Sequence, residues 1–271
     1  MSAREVAIAF LASEPCRTLL TRIEVLPHGR KLLNSFCQTH GVFTTFEEGW
    51  SVARRAKPAG HEDLSEIKVH LEFSSALRPS DYAVLYWLLK IGAGDLRIFD
   101  FGGNIGNLYY SYSSHLNSAQ SVRWTVFDIP NVLEEGKRIA EERGAHGLRF
   151  TSSLQVASDC NVLLVSGAFH YWEKGVQAFL NQFANPPEHV ILNRTPVHDR
   201  KLSFVTVQRT KECAFPCIVR NSAELVADFN AKGYAMIDRW PALELSLRMP
   251  LFPQYTVPHY SGFYFRRQRP Q

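Results

Sequence analysis

An α/β fold is what this sequence predicts: a doubly wound, mostly parallel sheet of seven strands, the last of them antiparallel, with a helical extension at the N-terminus. Three observations carry the expectation. Up to Gly92 apolar residues recur at helical spacing, and beyond it short apolar runs alternate with helical stretches, as repeated βα units on a parallel sheet require. The final apolar run follows a proline-rich, non-helical connection of about 20 residues, which suits an antiparallel return better than a right-handed crossover. The change of character at Gly92 divides the chain into a helical region, residues 1–92, serving as a substrate cap or dimer contact, and a larger catalytic domain, residues 93–271.

In the first region helices are expected over residues 6–13, 17–38 (interrupted at Pro27), 46–55 and 82–91. Thr45 and Glu48 stand at capping-box spacing, and Pro79-Ser80-Asp81 supplies a turn and an N-cap for the helix in which Val84, Leu85, Leu88 and Leu89 share a face. In the second region strands are expected at 97–101, 123–129, 148–151, 161–166, 190–193, 234–240 and 262–267. Helices are expected at 107–116, 131–143, 174–183 and 222–232.

Composition narrows the function classes. With 45% hydrophobic and 21% charged residues among 271, and no low-complexity tract or solenoid repeat, this is an ordinary globular chain. Its formal charge of +4 comes from 30 basic and 26 acidic residues spread along the sequence, which gives little support for a nucleic-acid partner. The cluster Arg266, Arg267, Arg269 reads as a solvated tail. Cys16, Cys37, Cys160, Cys213 and Cys217 make an odd count that argues against a disulfide framework and for a reducing compartment. Cys213 and Cys217 have neither a second pair nor a nearby histidine to complete a zinc site. No run approaches the roughly 20 apolar residues of a membrane span, and the short N-terminal apolar stretch argues against a secretory signal. The expectation is a cytoplasmic enzyme acting on a small molecule, with no metal and no membrane partner, and with the N-terminal helices as a candidate homodimer contact.

The chemistry centres on IFDFGGNIG, residues 98–106. A buried strand ends at Asp100, Gly102 and Gly103 form a tight turn, and Gly106 opens a helix whose free N–H groups favour a polar or anionic ligand end. Twenty-two residues past Gly106, Asp128 ends the next strand, where a carboxylate can accept from both hydroxyls of a ribose. Together these specify an adenosine-containing ligand, and both NAD and S-adenosylmethionine are held this way. A dinucleotide fingerprint wants glycine where Phe101 stands if Gly103 and Gly106 are its second and third, which weakens the pyrophosphate reading.

The segment resembles motif I of class I methyltransferases, with Asp100, Gly102, Asn104 and Gly106 in the acidic and small-residue places; Asn104 replaces the usual middle glycine and tolerates a left-handed backbone. VFDIPNV, residues 126–132, is similar to the acidic-loop motif of small-molecule O-methyltransferases, and LLVSGAFHYWEKG, residues 163–175, to their fourth-strand segment. The whole chain also resembles a bacterial family named as methyltransferases largely by similarity, through GVFTTFEEGW and RPSDYAVLYWL. What the resemblance implies is a Rossmann-like domain binding S-adenosylmethionine, with S-adenosylhomocysteine as product. It implies that Asp100 lies near the methionine amino end, Gly102, Gly103, Asn104 and Gly106 line the methionine moiety, Asp128 holds the ribose and Ile129 flanks the adenine. Ser152 or Ser153 would approach the adenine N6, and Ser166 and Gly167 the sulfonium.

Transfer from a sulfonium needs alignment, and a base when the nucleophile has a proton to lose. His170, just past the fourth strand, is the best-placed base, and in the enzymes this segment resembles the matching histidine deprotonates a hydroxyl. Tyr171 stands where they carry aspartate. Hydrogen bonding at a strand-to-helix turn is the bland alternative for His170, and packing or pocket wall the bland reading of Tyr171 and Trp172. Further candidates for the substrate side are Tyr109, Arg194, His198, His259 and Tyr260, each weighed against ordinary packing or solvation. Two other functions stay open: an NAD-dependent oxidoreductase or epimerase using the same glycine turn and Asp128, and a non-catalytic cofactor-binding module, which degraded glycines would have supported.

Overall fold

The computed structural model describes residues 39–56, 76–92, 95–116, 121–209, 213–249 and 251–268, so the helices expected at 6–13 and 17–38, with Cys16 and Cys37, lie outside the described residues. In chain order the elements are β1 (Thr39–Phe43), α1 (Phe46–Ala56), α2 (Asp81–Ile91), β2 (Asp95–Phe101), α3 (Asn107–Tyr112), β3 (Ser121–Phe127), α4 (Pro130–Glu142), β4 (Leu148–Thr151), β5 (Val162–Ser166), α5 (Val176–Leu180), β6 (His189–Thr195), β7 (Val197–His198), β8 (Phe204–Arg209), β9 (Ala214–Asn221), α6 (Ser222–Ala231), β10 (Tyr234–Ala242) and β11 (Tyr260–Arg267). They fall into two units built from separate segments. One comprises Met1–His61, Pro196–Ser222 and Ser246–His259, the other Glu62–Thr195, Ala223–Leu245 and Tyr260–Gln271. Gly92 lies inside the second.

The second unit holds a seven-stranded sheet in the order β10-β11-β6-β5-β2-β3-β4. Neighbours from β6 to β4 pair in parallel, and β11 runs antiparallel to both β6 and β10, as its non-helical approach predicts. Alternation along β2 sends Leu96 and Ile98 to one face, where Val84, Leu85 and Leu88 of α2, Tyr112 of α3 and Leu133 of α4 close over them. Phe99 and Phe101 go to the other, where Phe179 of α5 meets Phe101 edge-on at 5.0 Å and Phe183 meets Phe99 at 6.1 Å. Each large side chain removed from water here contributes about 1.5–3 kcal/mol. Two details differ from expectation. Leu89 lies at the margin of the α2 face, 37% exposed. Ser80, at the N-cap position, makes no side-chain cap, because its hydroxyl is drawn to Glu244.

The first unit contains a four-stranded sheet, β1-β8-β9-β7, antiparallel except for β7 with β9. Helix α1 starts with the expected capping box: the Glu48 amide donates to Thr45 Oγ1 at 3.2 Å and the Thr45 amide to Glu48 Oε2 at 3.0 Å. It packs its Ala53 with Val207 and Ala214. Gly49 permits the approach, since a Cβ there would lie 2.8 Å from that of Pro216. Cys213 and Cys217 are buried in this unit, and burial pushes the Cys217 thiol up.

Candidate functional site

Chain direction in the sheet unit reverses at β2: the strands that follow it lie outward as β3 and β4, then on the other side as β5 and β6. Such a switch opens a crevice at the carboxyl ends of the two central strands. The loop there is the glycine turn. Gly102 (φ 72°), Asn104 (φ 55°) and Gly106 (φ 89°) occupy the left-handed region, which explains two of the glycines and the asparagine. Gly103 is required for a different reason: a Cβ would stand 2.4 Å from Asp100 Oδ2. The Gly102 amide donates to the Phe127 carbonyl at 2.8 Å, tying the turn to the end of β3.

Asp128 faces this turn. Its Oδ2 accepts from the Asn104 amide and its Oδ1 from the Ile129 amide, both at 2.8 Å, so the carboxylate plane is fixed beside the backbone of residues 102–106. Asp100 is 1% exposed; Trp124 Nε1 donates to its Oδ2 at 3.0 Å, while Oδ1 has no hydrogen-bond partner. Burial pushes the Asp100 carboxyl up to about 7, the Trp124 bond opposing the rise and the charge of Asp128 adding to it.

At the end of β5, Ser166 Oγ is buried without a partner, and Gly167 (φ 72°) faces open space, where a Cβ would meet nothing within 4 Å. Two orphaned polar atoms on adjacent strand ends, an open volume and an oriented carboxylate fit the adenosyl ligand that the sequence resemblance implies, with a donor end at Asp100 and a diol at Asp128. Ser152 and Ser153 sit exposed just past β4, the Ser153 amide donating to Thr151 Oγ1. His170 lies in a 3-10 turn, Phe169–Tyr171, 3% exposed, its ring 4.1 Å from that of Tyr171 and 6.0 Å from that of Tyr260. Trp172 packs edge-on against Phe101 and Phe179, a wall position.

The remaining candidates are dispersed. Tyr260 begins β11 and is buried beside His170; its amide donates to the Leu245 carbonyl at 3.0 Å. Tyr109 packs on Trp124 at 6.2 Å, within the core under α3. His198 and His259 belong to the other unit. There His198 Nδ1 accepts from the amides of Arg200 and Lys201 and Nε2 donates to the Gln254 carbonyl, so the ring clamps a loop, and Asp199 is engaged by the Ser222 hydroxyl.

Arg194 stands out at the end of β6, with φ 51° and a buried guanidinium whose Nη2 donates to Asp81 Oδ1 at 2.6 Å and whose Nε donates to Glu244 Oε1 at 3.2 Å. Asp81 Oδ1 also accepts from Tyr112 at 2.5 Å, Ser80 donates to Glu244 Oε1 at 2.5 Å, and Asn193 links Ser80 to Trp240. Sequence reasoning placed Asp81 at a helix start and did not single out Glu244 or Trp240. The partners of Arg194 lie 113 and 50 residues away in the chain, and no local pattern marks them.

No family model and no curated protein matches the sequence. Among solved structures, the chain is similar to the Burkholderia thailandensis 1,6-didemethyltoxoflavin-N1-methyltransferase with bound S-adenosylhomocysteine, at 13% identity, 71% of this chain, 80% of that one and TM-score 0.47. It is also similar to the Synechocystis magnesium protoporphyrin IX methyltransferase, with 14% identity, 69% and 81% coverage and TM-score 0.45. A cyclase matches with 11% identity, 85% and 99% coverage and TM-score 0.48.

Proposed function

We propose that the chain is an S-adenosylmethionine-dependent methyltransferase acting on a small-molecule acceptor, with a hydroxyl as the leading acceptor group. The observation that carries this reading is the Asn104 amide held on Asp128 beside a turn with three left-handed residues, at the point where the strand order reverses. Asp128 would take the ribose hydroxyls, Ile129 the adenine face, and Asp100 with Ser166 and Gly167 the methionine end. Bound there, the cofactor supplies an activated methyl group on a sulfonium. His170, flanked by Tyr171 and Tyr260, orients the acceptor and takes its proton; the aromatic surround excludes water from the reacting edge. An odd set of cysteines suits the cytoplasm.

Thermal unfolding with S-adenosylhomocysteine or NADH tests the reading. S-Adenosylhomocysteine at about 100 times its dissociation constant should stabilise the protein by roughly 2.7 kcal/mol, NADH should not, and Asp128→Ala should abolish most of the gain. Stabilisation by NADH instead would favour the oxidoreductase reading. Binding of S-adenosylhomocysteine with no transfer to any acceptor would favour a cofactor-binding module.

A further inference from the structure

We infer that Glu244 reads a hydrogen-bond donor on the methyl acceptor, and that the acceptor is a hydroxyl compound, not an anion. The inference rests on the methyl-transfer reading of the same sheet edge. Glu244 follows β10, and Leu245 beside it accepts from the amide of Tyr260, whose ring neighbours His170; the carboxyl therefore stands on the edge where the reacting groups gather. Its two oxygens are unequal. Oε1 is committed to Ser80 and Arg194, while Oε2 is buried with no hydrogen-bond partner. Although burial pushes this carboxyl up, the bonds from Ser80, its own amide and Arg194 outweigh it and hold the group below the ordinary carboxylate range, so the unpartnered oxygen belongs to an anion.

A buried anionic oxygen without a donor is costly, and a ligand that brings one recovers that cost on binding. The terminal torsion of glutamate is broad, and this side chain keeps 14% of its surface exposed, so a small tilt presents Oε2 to an arriving hydroxyl. Charge decides the class of donor. Among the described residues, Arg78 and Arg194 face Asp81 and Glu244 in one cluster, two cations with two anions. A carboxylate ligand would meet Oε2 with repulsion and an ether brings it no donor, whereas a hydroxyl pairs with it without adding charge.

The test uses the whole protein loaded with S-adenosylhomocysteine and titrates phenol, anisole and benzoate by ligand-observed NMR. Phenol should bind at least about tenfold tighter than either analogue. In Glu244→Gln, which keeps an oxygen for Ser80 and Arg194, the preference over benzoate should fall below about threefold while the affinity for S-adenosylhomocysteine stays within about twofold. Equal binding of phenol and anisole by the wild-type protein would overturn the inference, even if the variant does not fold. So would a variant with the full preference intact, which would mean that water satisfies Oε2. Failure of the wild-type protein to bind S-adenosylhomocysteine would instead sink the methyltransferase reading itself.

Discussion

Asp100 combines near-complete burial, one oxygen on Trp124 and one oxygen with no partner, and its carboxyl is raised from 3.8 to about 7. Between those values the folded chain holds a proton that the unfolded chain has released, so its contribution to stability falls as pH rises through this window, by at most about 1.4 kcal/mol per pH unit. Denaturant unfolding from pH 5 to 7 should therefore show a downward slope that Asp100→Asn removes; identical slopes would refute the raised carboxyl. A ligand ammonium favours the ionised form, so affinity for S-adenosylhomocysteine should climb between pH 6 and 8 in the wild type and flatten in Asp100→Asn. His170 makes a second residue-scale prediction. With an acceptor in hand, His170→Gln should cut turnover by roughly 100-fold or more and spare cofactor affinity, whereas an unchanged rate reduces the ring to a pocket wall.

Among the elements, α2 is held to the sheet in two ways, by Val84, Leu85 and Leu88 in the core and by Asp81 on Arg194. Asp81→Ala leaves the buried Arg194 short of a partner and should cost about 3–5 kcal/mol in chemical unfolding, against about 2–5 for Leu88→Ala; a loss below 1 kcal/mol at Asp81 would show that the pair is not held as described. The seven strands of the main sheet were legible to within two residues at each end; for central strands such as β2, β5 and β6 the reason is that a parallel strand buried on both faces writes a continuous apolar run between glycine and polar breaks. Helices α3 and α5 are shorter than their periodicity suggests, since turns take over after Tyr112 and Leu180. Strands β1, β8 and β9 escaped the reading. Phe204-Val205-Thr206-Val207 does carry a β-branched signal, but Pro216 interrupts the pattern of β9 and both strands lie in a stretch read only for its histidine and cysteines. The glycine turn and Asp128 were legible because their spacing is local to one βα unit; the Arg194 network was not, because it joins chain segments far apart.

Across the whole molecule, one unit carries the switch-point crevice and every cofactor-side residue proposed, while the other is assembled from three separate segments around its own small sheet. Among the described residues no helix is long and apolar enough to cross a membrane. The account stands or falls on whether the glycine turn and Asp128 grip the same ligand. A crystal structure with S-adenosylhomocysteine measures this directly: both ribose hydroxyls should lie about 2.7 Å from the Asp128 oxygens, with the amino end beside Asp100. An adenosyl group bound elsewhere, or one that leaves Asp128 untouched, would contradict it.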